Sequence, residues 1–254
     1  MNAFRPVQVL SLCLCFGSAV AAQEGDLPKD SSNSIWLAYV GEHPVSQHWN
    51  LHLEGQIFWN GATETRELVF ARPGLRRELT HGLSALIAYG YFAKEPAITG
   101  APQTLGEHRL SEDIQWKLGV RRVTLVQRVR AEQRFEGQET HSDHGTAWQY
   151  AERVRYRITA NVPLPVNTSG PQPDYVSTYN EVFVNFGPHR GSQAFDQNLV
   201  AGAVGWNVTR TLQFEAGYLL QYNPSAVGVV GTRNHVAQLN VTSTAPFSRR
   251  KAPQ

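Results

Sequence analysis

Two stretches near the middle of the chain separate charged from apolar side chains with a period of two. In residues 123–135, VTLVQRVRAEQRF, Arg128, Arg130, Glu132 and Arg134 share one parity. Val123, Leu125, Val129 and Phe135 share the other. Residues 148–160, WQYAERVRYRITA, repeat the scheme with Arg153, Arg155 and Arg157 against Val154, Tyr156 and Ile158. A period of two predicts strands, because successive side chains point to opposite faces of a sheet. Any fold must therefore place seven ionised side chains on one face of a strand pair.

The same alternation runs through most of the chain. In residues 49–59, WNLHLEGQIFW, Trp49, Leu51, Leu53, Ile57 and Trp59 oppose Asn50, His52, Glu54 and Gln56. At about 3.3 Å per residue and a tilt near 45°, the two tryptophans would stand roughly 23 Å apart along a membrane normal. That matches the roughly 25 Å apolar band between aromatic girdles in outer-membrane barrels. Trp116, Tyr218 and Tyr222 join Trp49 and Trp59 as candidate girdle residues. Further strands are predicted at 35–40, 83–93, 108–118, 176–186, 195–208, 211–222 and 234–244. Residues 68–79 form one more, interrupted at Pro73-Gly74, where a bulge or irregular edge is expected. No window carries the pattern of an amphipathic helix.

Short connections at 41–48, 80–82, 119–122 and 209–210 alternate with longer ones at 60–66, 95–107, 136–147, 187–194 and 223–233. Up-and-down outer-membrane barrels show this asymmetry, with short periplasmic turns and long external loops. The proline-rich segment 161–174 breaks it. Eleven strands are legible, whereas single bacterial chains form even-numbered barrels, so the expectation is an all-β, antiparallel up-and-down transmembrane barrel of 10–12 strands. A charge facing lipid costs a few kcal/mol near midplane, which turns the arginines toward the lumen. There Arg128, Arg130, Arg134, Arg153, Arg155 and Arg157 need acids. Glu132 lies within the array, and Glu54, Asp113, Glu181 and Glu215 occupy the polar faces of other strands. Such a lumen is either a structural ion-pair network or a narrow, anion-favouring pore for a small anionic solute.

The N-terminus changes the setting. Arg5, an apolar run at 7–16 and small residues at 19–22 read as a cleaved secretory signal peptide, residues 1–22. A flexible leader is expected at 23–33, the barrel domain at 34–247 and a basic tail at 248–254. Both cysteines, Cys13 and Cys15, fall in the signal, which removes disulfides, thiol nucleophiles and cysteine-ligated metals from the mature chain. Losing Arg5 leaves 22 basic against 21 acidic residues, a balance that gives no reason to expect nucleic-acid binding. The negative mean hydropathy of −0.34 agrees with a barrel, in which only alternate residues meet lipid.

The motifs Arg72-Pro73-Gly74-Leu75, RAEQRF at 130–135, RVRYR at 153–157, NEVFVNF at 180–186, FDQN at 195–198 and FEAGYLLQY at 214–222 occur in that order. Together they resemble an outer-membrane β-barrel family known only as a domain of unknown function. The family often carries an arginine after the asparagine of the FDQN motif; here Leu199 stands there. Its C-terminus usually ends on an aromatic residue, whereas this chain continues past Phe247. The resemblance implies the bacterial outer membrane, lipid as surroundings and the barrel-assembly machinery as a biogenesis partner. It implies no activity and no cofactor.

Catalytic chemistry finds little foothold. His141-Ser142-Asp143-His144 is the one dense set of metal-ligand types, but ligands so close within a loop seldom converge on one ion, and an exposed loop is expected. His52 could serve as a base, yet no serine stands out as its partner. An enzyme, a metal site and a cofactor are not expected. The competing architecture is a soluble periplasmic, lipocalin-like barrel that binds a small or lipidic ligand inside. The uniformly apolar outward faces of 49–59, 83–91 and 212–222 favour the membrane.

Overall fold

The computed structural model describes residues 30–61, 65–94, 105–139, 146–165, 172–186, 194–224 and 231–247. They form eleven strands: β1 Asp30–Pro44, β2 Trp49–Asn60, β3 Thr65–Thr80, β4 Leu83–Lys94, β5 Leu105–Val120, β6 Val123–Glu139, β7 Thr146–Pro163, β8 Tyr175–Phe186, β9 Phe195–Asn207, β10 Leu212–Asn223 and β11 Thr232–Ser243. Each strand pairs antiparallel with its neighbours in sequence, and β1 closes the barrel against β11. Because the number is odd, that closing pair is parallel, with Asp30–Gly41 matched residue by residue to Thr232–Ser243. No helix among the described residues is long and apolar enough to cross a membrane, which says nothing of crossing by strands.

The stagger of the barrel follows from the ladders. From Ala38 the pairing runs through Gln56, Phe70, Phe92, Glu107 and Glu136 to Gln149 on β7. In the other direction it runs through Asn240, Glu215, Gly205 and Tyr175 to Pro163 on the same strand. Those arrivals differ by about 14 residues, which for eleven strands gives a tilt of about 40° and a backbone radius of about 11 Å. Long side chains from opposite walls meet across such a lumen.

The short connections 45–48, 81–82, 121–122 and 208–211 gather at one end, together with the end of β7 and the start of β8. At the other end β2 stops and β3 starts, and likewise β4 and β5, β6 and β7, β8 and β9, and β10 and β11. These are called the short-turn end and the loop end. Arg121, in the two-residue turn between β5 and β6, takes the left-handed backbone conformation with φ 55°, as the tightest hairpins require.

Several boundaries differ from the sequence reading. β1 begins at Asp30, inside the stretch expected as leader, and runs to Pro44 instead of ending at Val40. β3 passes through Pro73 and Gly74 with its register intact, Ala71 facing Tyr91 and Gly74 facing Ala88. Its pairing with β4 skips Arg72 and Pro73, so the proline's missing N–H is accommodated without a bulge. The register shifts fall at Phe58/Trp59 and Glu78/Thr80 instead. Gly74 is small for a reason: a Cβ there would meet the Ile87 carbonyl oxygen at 2.6 Å. Both the signal reading and the basic tail lie outside the described residues, as does the His141–His144 cluster.

Inside the barrel an apolar core fills one side. Phe183, Leu199, Ala201, Leu219 and Val236 form one cluster, and Phe58, Phe70 and Phe92 another. Trp36 of β1 packs against both, its ring edge-on to Phe58 at 4.5 Å. Leu219 and Val236 are 0% exposed, so this interior is as closed as a soluble core.

Candidate functional site

The arginine ladder lies on the inner wall. Register places Asp113 opposite Arg130, Arg130 opposite Arg155, and Arg155 opposite Phe183. One step toward the short-turn end, Arg128 faces Arg157, which faces Glu181. Two like-charge pairs thus sit directly across strands, an arrangement that destabilises unless acids flank it. Here they do, from β5 on one side and β8 on the other.

Three carboxylates organise the array. Glu181, fully buried, accepts from Arg128 Nη2 at 2.6 Å, Arg155 Nε at 2.9 Å and Arg157 Nε at 2.8 Å. Glu132 accepts from Arg153 Nε at 2.7 Å, Arg155 Nη1 at 3.0 Å and, more weakly, Arg109 Nη1 at 3.4 Å. Asp113 takes Arg130 in a fork, Nε at 2.6 Å and Nη2 at 2.7 Å. Toward the loop end, Glu107 holds Arg109 and Arg134, and Asp196 meets Arg153 at 3.0 Å. Across the lumen Glu54 pairs with Arg72, and Glu42 bridges Arg76 Nε and His52 Nδ1 at 2.9 and 2.8 Å.

The aromatic core supplies the other face of these cations. Arg109 Cζ stands 3.7 Å from the Phe92 ring centre, Arg155 4.2 Å from Phe183 and Arg157 4.2 Å from Tyr179. A guanidinium flanked by carboxylate and ring is held by charge, directed hydrogen bonds and the ring quadrupole together. Arginine, planar and less hydrated than lysine, suits that sandwich. Some polar atoms stay without partners among the described residues, including Arg72 Nε, Arg128 Nε and Glu42 Oε2.

Of the residues named from sequence, Arg128, Glu132, Arg134, Arg153, Arg155, Arg157 and Glu181 meet in one network, Arg134 through Glu107 and Arg109, while Arg130 pairs with Asp113 beside it. Glu215 does not join it. It lies across the barrel on β10, where Asn240 Nδ2 donates to it at 3.3 Å. Residues that the reading of the ladder alone did not mark also take part: Glu107, Arg109 and Asp196 join this network, and Arg72 and Arg76 form a second cluster with Glu54, His52 and Glu42. Parity within β3 and β5 carried that signal, but the expected break at Pro73 and the loop expected up to Glu107 concealed it. His52 is buried against Glu42, Glu54 and Arg72, and among the described residues no serine hydrogen-bonds it.

The outward faces form a broad apolar surface. Trp49, Trp116, Trp206 and Phe214 lie near the short-turn end, Trp206 and Phe214 with ring centres 5.8 Å apart. Trp59, Phe135, Tyr150, Phe186 and Tyr222 lie near the loop end, with Phe135 and Tyr150 5.3 Å apart. Tyr218 belongs to neither ring: it sits midway along β10, and its hydroxyl meets His235 Nδ1 at 2.5 Å. Arg77 stacks over Trp49 at 5.4 Å. Gln127, outward on β6, accepts a hydrogen bond from the Tyr156 hydroxyl at 2.6 Å, whereas Gln133 Oε1 has no partner among the described residues. Two carboxylates interrupt the apolar surface: Glu152 on β7, beside Gln133 and Phe186, and Glu112, exposed midway along β5 between Ile87 and Ala131. Among the described residues no three metal-ligating side chains converge.

Comparison with protein families matches residues 33–230 to the family described as Protein of unknown function (DUF2490). No curated protein and no solved structure gives a significant match.

Proposed function

The chain belongs to the DUF2490 family of proteins of unknown function, and on that footing we propose that it is a bacterial outer-membrane β-barrel whose lumen is sealed by its own ion pairs. The observation that carries the reading is the sorting of side chains by face. Nine arginines (Arg72, Arg76, Arg109, Arg128, Arg130, Arg134, Arg153, Arg155 and Arg157) turn inward, while the outward face is apolar between two sets of aromatics. A water-facing exterior has no need of that sorting; a lipid-facing one demands it. In this orientation the loop end faces outward from the cell and the short-turn end faces the periplasm.

Sealing follows from occupancy of the lumen. Eight acids (Glu42, Glu54, Glu107, Asp113, Glu132, Glu136, Glu181 and Asp196) answer the nine arginines, and the aromatic core closes what the ion pairs leave. The role is then that of a rigid, non-conducting barrel that anchors its loops at the cell surface. A second reading, a narrow anion-favouring pore, is favoured by Glu181 and Glu132, each of which must answer three arginines.

Fractionation tests placement: the protein should stay with the outer membrane until detergent is added, and release by osmotic shock alone would overturn the proposal in favour of a soluble barrel. Planar-bilayer recording tests the seal. The folded protein should show no steady conductance. Anion-selective conductance weakened by Arg130→Gln and Arg155→Gln would establish the pore.

A further inference from the structure

The lumen is packed unevenly along its axis. Toward the loop end, the inward positions carry Phe58, Phe70, Phe92 and Phe183, all buried. Toward the short-turn end, β6 to β8 turn Thr124, Val126, Thr159 and Ser177 inward beyond the arginines, and the Tyr175 ring of β8 lies over Gly205. Exposure rises accordingly. Glu181 is 0% exposed, Arg128 15% and Arg157 28%, so exposure within the ladder rises toward the short turns, where these two arginines floor a recess.

That floor has donors to spare. Arg128 spends only Nη2 on Glu181, its Nε is buried without a partner, and its Nη1 makes no hydrogen bond among the described residues. Arg157 spends Nε and Nη2 on Glu181 and leaves Nη1 free in the same sense. Glu181 must also neutralise Arg155. The carboxylates facing the recess from the far wall, Glu42 and Glu215, are engaged by Arg76 and His52 and by Asn240 and the Tyr175 hydroxyl.

We propose that this recess is a blind binding site for a small solute carrying a phosphate group, held by the free edges of Arg128 and Arg157. A compact dianion answers two guanidinium groups whose shared carboxylate is already divided among three cations. Its several oxygens can take the paired N–H donors that guanidinium presents. Entry lies along the barrel axis and away from the outward wall, which selects a free solute over a lipid headgroup. The inference deepens the sealed-lumen reading and does not require the membrane, since a soluble barrel with this interior would bind equally.

Isothermal titration of the purified full chain in non-ionic detergent, with inorganic phosphate at low ionic strength, tests it. Saturable binding is expected, weakened about tenfold or more by Arg128→Gln and by Arg157→Gln. Arg157→Lys, which keeps the charge but loses the fork, should restore only part of the affinity. Arg121→Gln, in an exposed turn, should leave binding unchanged. Near-UV circular dichroism confirms that each variant is folded. No saturable binding by the folded wild type, or equal weakening by Arg121→Gln, would overturn the site. Conductance plays no part in this readout, so a failed seal and a failed site remain distinguishable.

Discussion

Replacing Glu181 with glutamine tests the idea that acids hold the inner wall together. The side chain keeps its shape and loses its charge. Three arginines lie within 2.5–2.9 Å of its oxygens. With charge centres about 4 Å apart and an effective dielectric near 20, each attraction is worth about 4 kcal/mol gross. Most of that is offset by the cost of taking both ions out of water, several kcal/mol per ion. What survives on removal of one partner is the penalty of buried cations left facing one another, about 3–5 kcal/mol. Glu215→Gln is the internal control: half-exposed, with neutral partners in Asn240 and the Tyr175 hydroxyl and no arginine, it should cost about 1 kcal/mol. Urea unfolding in detergent, followed by fluorescence of the six tryptophans, measures both. Adding Arg157→Gln to Glu181→Gln removes one stranded cation, so the pair should cost less than the sum of its parts by about 1 kcal/mol or more. If Glu181→Gln costs no more than Glu215→Gln, the wall is held by the aromatic core and the electrostatic argument fails.

Leu219→Ala opens a cavity where the side chain is 0% exposed, and should cost about 3 kcal/mol in the same unfolding assay. Gly217→Val places a Cβ 2.5 Å from the Gly202 carbonyl oxygen; a loss of about 1–3 kcal/mol is expected, and an unchanged midpoint would show that β9 and β10 separate freely. Glu112→Leu removes the exposed carboxylate from the middle of the outward face. For a lipid-facing wall it should raise stability in bilayers by about 1 kcal/mol, whereas a water-facing wall would answer with aggregation.

Much of this architecture is legible in the chain because a period of two fixes faces without knowledge of partners. The inward parity of Arg128–Arg134 and Arg153–Arg157, and the outward parity of Trp49–Trp59, follow from alternation alone. Register does not. That Arg128 meets Arg157 and Arg130 meets Arg155 is set by how β6 pairs with β7, which the alternation within either strand does not encode. Glu215 shows the same limit from the other side: parity places it inward, but only the order of strands around the barrel puts it against Asn240 instead of the arginines. Arg72 was obscured because Pro73 reads as a strand breaker. The proline lacks one donor, and β3 tolerates that by omitting a pair while β2 continues to hold Leu53 opposite Pro73.

The odd strand number raises a question of closure that the side chains answer. Parallel pairs are slightly weaker per residue than antiparallel ones, and no hairpin joins β1 to β11 to set their register. A slip by one residue would turn every inward side chain of β1 outward. Two features resist that slip. Ser32 and Ser34 both donate to Asn234 Oδ1, at 3.2 and 3.0 Å, which ties the seam near the loop end. Trp36 then reaches into the lumen between the two apolar clusters, one built by β8–β11 and the other by β2–β4. A shifted register would pull that ring out of both. The closing strand is therefore specified from the inside, by the core that fills the lumen, and closure and sealing are one event: a barrel emptied of its apolar core would lose the contact that fixes its seam. Trp36→Ala should accordingly cost more than the roughly 3–5 kcal/mol of an ordinary buried aromatic. It should also speed hydrogen exchange in β1 and β11 before the rest of the barrel. Uniform exchange across all strands would show that the seam is set by its backbone alone.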